Sequence, residues 1–82
     1  MSDLDLPGVY LGWNRWAISR HRAKTIATAN GLRLPTVGRE IAMEVDGHMV
    51  WMRNAEHRDE RETGRFILHS PKKIEDTALT GS

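Results

Sequence analysis

The sequence predicts a small α+β domain, β-α-β-β-β, in which an antiparallel meander carries one main helix across a face. Three observations predict it. Asp46-Gly47 stands between two apolar-rich runs, Asn30-Gly31-Leu32 closes a stretch with helical spacing, and Gly64 precedes a third run, Arg65-Phe66-Ile67-Leu68-His69. At 82 residues, with no cysteine and a formal net charge of +1, the chain has room for one core and no disulfide to staple it.

The elements follow in chain order. Residues 1–8 read as a short acidic leader, 9–70 as a single domain and 71–82 as a tail with room for one helical turn. Val9-Tyr10-Leu11-Gly12-Trp13 reads as a short strand after the Pro7-Gly8 break. Trp13, Trp16, Ala17, Ala23 and Ala27 then share a face at helical spacing, which predicts a helix starting at about Asn14 or Ser19. Residues 13–18 remain open between strand and helix at this point. The helix end is better marked, because Gly31 can take the left-handed conformation and Leu32 can fold back onto the last turn.

Asp-Gly between apolar runs is a type I′ hairpin signature, since both central residues need positive φ. A two-residue turn there pairs Val45 with His48, Met43 with Val50 and Ile41 with Met52 on the core side. It pairs Glu44 with Met49 and Ala42 with Trp51 on the other. Residues 54–64 carry a single apolar residue and read as a solvated loop or a short frayed helix.

Catalytic chemistry finds little to work with. No catalytic set, metal site or cofactor is expected: there is no thiol, no Gly-rich phosphate cradle, and His21, His48, His57 and His69 are too scattered for metal-ligand spacing. Ser19 reads as a helix cap, Ser70 as a turn residue, and Glu56, Asp59, Glu60 and Glu62 as solvated charge. His57-Arg58-Asp59 spells a kinase triplet in a chain too short for a nucleotide lobe. One enzymatic alternative survives, a metal-free ribonuclease using Arg20, His21 or His69. No stretch approaches the roughly 20 apolar residues of a membrane helix, and the acidic N-terminus is unlike a secretory signal. A cytoplasmic protein with no membrane partner is the expectation.

Charge is lopsided along the chain: residues 7–39 hold six cations and no acid, whereas residues 40–64 hold seven acids and three cations. Arg15, Arg20, Arg22, Lys24, Arg33 and Arg39, with His21, form a candidate basic surface, and segment 13–39 is therefore a candidate nucleic-acid binder. The leading expectation is instead a non-enzymatic protein-interaction module, of the kind found among small regulators or inhibitors from phages and mobile elements. Its motive is a surplus of large side chains over available core. One helix covers one face of a four-stranded sheet, leaving Trp51 and Met49 to seek shelter against a protein partner or in a homodimer, with Trp13 and Trp16 as further contact residues.

Of two partial likenesses the first carries nothing over and the second stands as an alternative. Arg33-Leu34-Pro35-Thr36 looks like a segment of the formylglycine-generating-enzyme family, but Val37, Gly38 and Arg39 depart from its pattern. The order helix, three strands, then Lys72-Lys73 is similar in outline to a double-stranded-RNA-binding domain. Glu75 and Asp76 stand where that family has alanine and lysine, and acids there would repel phosphate.

Overall fold

The computed structural model describes residues 6–70. Their order is β1 (Val9–Gly12), β2 (Arg15–Ile18), α1 (Arg20–Ala29), β3 (Ile41–Val45), β4 (His48–Asn54), α2 (Arg58–Thr63) and β5 (Phe66–His69). The strands form one antiparallel sheet in the order β1-β2-β5-β4-β3, so the last strand lies at the centre. The α+β class and the β3-β4-β5 meander agree with the sequence reading. The expected tail turn from Lys72 falls outside the described residues.

The β3-β4 hairpin has the anticipated register, from Ile41 opposite Met52 to Val45 opposite His48. Asp46 (φ 52°) and Gly47 (φ 83°) both take the positive φ that a type I′ turn requires. Helix α1 starts after Ser19, whose hydroxyl accepts from the Arg22 N–H at 3.1 Å. It ends as foreseen: Leu32 donates to the Ala27 carbonyl at 2.8 Å and Gly31 to that of Thr28 at 2.9 Å, the paired bonds of a Schellman motif. Just past that end, the Asn30 amide turns to the sheet. It donates to the Glu44 carbonyl at 3.0 Å and accepts from the Glu44 N–H at 2.8 Å. One side chain thus satisfies an exposed edge strand as a neighbouring peptide would, which discourages pairing with another chain.

Residues 13–18 depart from the expected helix, and Asn14 is not its start. Trp13 (φ 56°) and Asn14 (φ 59°) form a tight turn, and Arg15–Ile18 is a fifth strand paired with both β1 and β5. Helical spacing of Trp13, Trp16 and Ala17 was coincidental. Strand alternation sends Trp16 and Ile18 to the face under α1 and Arg15 and Ala17 to the other. Aromatic and β-branched side chains also pack well on a pleated surface.

The core beneath α1 joins Trp16, Ile18, Phe66, Leu68, Met43, Val45, Val50 and Met52 to Ala23 and Ala27 of the helix. Two alanines on the inner face let α1 lie close to the sheet. Leu6, which the sequence reading put in the leader, is buried in this cluster. The opposite face is covered in part: α2 packs against β1 and β2, while Met49 on β4 stays exposed. Gly64 makes the close approach possible: a Cβ there would come within 2.7 Å of the Ile18 carbonyl oxygen and 3.1 Å of the Ala17 Cβ. Ala17 and Ile67 are buried on this side.

Candidate interaction surface

Helix α2 has the sequence Arg-Asp-Glu-Arg-Glu-Thr and no apolar face. What fixes it is Glu60, which the sequence reading had left in solvent and which is 0% exposed. Its carboxylate accepts from Arg53 Nη1 and Nη2 at 2.8 Å each, from Arg15 Nη1 at 2.7 Å, and from the N–H groups of Glu56 and His57 at 2.9 and 3.2 Å. A buried charge is tolerated when it is paired and its lone pairs are filled, as here. The Arg53 fork, helped by these amides and Arg15, holds the Glu60 carboxyl well below the usual carboxylate range, against the opposing pull of burial. Both arginines are pushed up, chiefly by their hydrogen bonds to Glu60.

Arg15 therefore leaves the proposed basic surface. It is largely buried, and its remaining donors reach Asp59 at 3.1 Å and the carbonyls of Leu11 and Gly12 at 3.2 Å each. These last two bonds clamp the β1-β2 turn from one side. On the other, the Asn14 N–H donates to the Tyr10 hydroxyl at 3.2 Å, and the Tyr10 ring lies 4.9 Å from that of Trp16.

The clamped turn presents Trp13, whose side chain is 89% exposed. A bulky residue in the left-handed region is strained, by about 1–2 kcal/mol, and the turn keeps it there without burying the indole. Val9 and Tyr10, each more than half exposed, belong to the same hairpin. Sequence reading singled out Trp13 but missed these two, because a short strand read from the sequence carries no sign of whether it lies at the edge of the sheet, as β1 does.

The other anticipated contact residues scatter. Trp16 is 6% exposed and belongs to the core, so it offers nothing to a partner. Met49 is 57% exposed, and Trp51 is half-buried between Ala42 and His69 on the neighbouring strands. Arg20, Arg22, Lys24 and His21 are exposed on α1, with Arg33 and Arg39 exposed on the connection after it. His69, which lies 3.1 Å from Glu40, faces away from α1, since its neighbour Leu68 is in the core under that helix. The groups considered for ribonuclease chemistry, Arg20 and His21 on one side and His69 on the other, are thus not brought together. Among the described residues no helix is long and apolar enough to cross a membrane. Comparison with known proteins adds no assignment: no family model, curated protein or solved structure matches the chain.

Proposed function

We propose that the protein is a non-enzymatic protein-interaction module, a small regulator or inhibitor working in the cytoplasm, whose anchor is Trp13. The observation that carries this reading is an almost fully exposed indole on a strained turn that Arg15 and Tyr10 hold in place. Binding energy concentrates in a few aromatic and arginine side chains. A side chain held in its presented geometry loses less freedom on docking, so more of its contact energy appears as affinity. Tyr10, more than half exposed on the same hairpin, adds apolar surface. Both sheet edges are blunted, by Asn30 on β3 and by the Leu11 irregularity with its Arg15 contacts on β1, which favours recognition by side chains over strand addition.

The test starts with a photoreactive amino acid in place of Trp13 to capture the partner in the cell of origin. Affinity of the purified pair is then measured by calorimetry. Trp13→Gly is expected to weaken binding about 30-fold or more while thermal stability rises, since glycine relieves the left-handed strain. Undiminished affinity in Trp13→Gly sinks the reading, as does the absence of any captured protein. Capture of a second copy, with a concentration-dependent dimer that Met49→Lys dissolves, would move the contact to the Met49 and Trp51 face.

A further inference from the structure

Helix α1 is charged against its own dipole. Arg20, Arg22 and Lys24 crowd its N-terminal half, its first turn has no acid and its last turn no base. Cations stabilise a helix near its C-terminus and oppose it near the N-terminus, so this placement works against the helix that carries it. Nor do the acids of the described residues answer the charge. Among the described residues, no carboxylate forms an ion pair with Arg20, Arg22, Lys24, Arg33 or Arg39. Asp46, at the hairpin tip, lines a groove with Arg22 without pairing to it. The acids of α2 lie across the sheet, because α1 and α2 cover opposite faces.

The outer surface of α1 also indicates what kind of partner it suits. His21, Lys24, Thr25, Thr28 and Ala29 line a shallow groove along it, and no large apolar side chain is exposed on the helix. Protein interfaces want buried aromatic anchors and disfavour lysine. Single-stranded nucleic acid wants aromatic platforms for its bases. Lysine, arginine and hydroxyl groups without either are the usual contacts to phosphate oxygens, and a duplex offers those phosphates at high linear density. We infer that α1 docks on the phosphate backbone of a nucleic-acid duplex with its outer face, His21, Thr25 and Thr28, toward the duplex, Arg20 and Lys24 reaching phosphates from one flank of the helix and Arg22 from the other, without reading its sequence.

Fluorescence anisotropy with mixed-sequence DNA and RNA duplexes tests this on the full chain. Three phosphate contacts give a slope of about −3 in log affinity against log salt, a loss of roughly 40-fold between about 50 and about 200 mM salt. The triple variant Arg20→Glu/Arg22→Glu/Lys24→Glu should lose binding at about 50 mM salt, whereas Trp13→Gly should bind like the parent. Reversing charge at the start of α1 agrees with its dipole, so the triple variant is expected to fold at least as stably, which circular dichroism melting verifies. Absence of a complex with both duplexes at low salt overturns the inference, as does salt-independent binding or full affinity in the triple variant. Preference for single strands refutes the duplex assignment, and equal binding of poly-glutamate refutes the phosphate assignment in favour of an acidic protein.

Discussion

The two helices are attached to the same sheet by opposite means. Helix α1 uses the ordinary one: small apolar residues, Ala23 and Ala27, point inward at helical spacing and every charge points out. Helix α2 inverts this, since its anchor is a carboxylate, Glu60, driven into the space between Arg15 and Arg53 and closed off by backbone amides. The difference teaches that burial and polarity are separate questions. A segment without one apolar residue can be an integral part of a small fold if a single charge is fully bonded, and its stability then depends on that charge far more steeply than α1 depends on any alanine.

The sharpest way to break the comparison is Glu60→Ala, which leaves two largely buried guanidinium groups facing each other. It is expected to cost about 3–5 kcal/mol, a large fraction of what a domain this size has, read by urea denaturation with tryptophan fluorescence. A cost below about 1 kcal/mol would mean that α2 is held by something else. Overfilling the other attachment with Ala27→Leu should cost about 1–3 kcal/mol by the same measurement, because α1 can shift slightly where the Glu60 cluster cannot.

Acidification distinguishes the two attachments more gently. The unfolded chain protonates Glu60 near the ordinary glutamate value of about 4.3, while the folded chain keeps it ionised to lower pH. The contribution of Glu60 is therefore complete above about pH 4.3 and is lost as the pH falls below it. Glu60→Gln should show a shallower fall of melting temperature with decreasing pH in that range. Parallel curves for parent and variant would remove the buried ion cluster from the account, and Ala27→Leu should run parallel to the parent throughout.

What could be read from the chain follows from which physical signals are local. The Ile41–Met52 hairpin and its register were legible because Asp46-Gly47 names the turn and the turn dictates the pairing. The end of α1 was legible because Asn30, Gly31 and Leu32 are the motif. The start was only half legible: Ser19 was one of two candidates, and the accidental spacing of Trp13, Trp16 and Ala17 supported the other. No sequence rule announces a left-handed turn at Trp-Asn, since tryptophan resists that conformation and only Arg15 and Tyr10 make it tolerable. The burial of Glu60 was invisible for a related reason. Its partners stand 45 and 7 residues away, and a run of charges taken alone looks like surface. Of the candidate contact residues, Trp13 and Met49 are exposed while Trp16 is consumed by the core. Composition counts large side chains but does not say on which face a strand will place them.

The central position of β5 has a consequence for synthesis. Two hairpins emerge from the ribosome first, β1-β2 and then β3-β4, yet they share no border in the finished sheet. Until Phe66–His69 is available to lie between them, the nascent protein holds two half-sheets with nothing to zip them, and pairings over such long sequence separations form slowly. A molecule arranged in this way closes its sheet in one step, when β5 enters between the two hairpins.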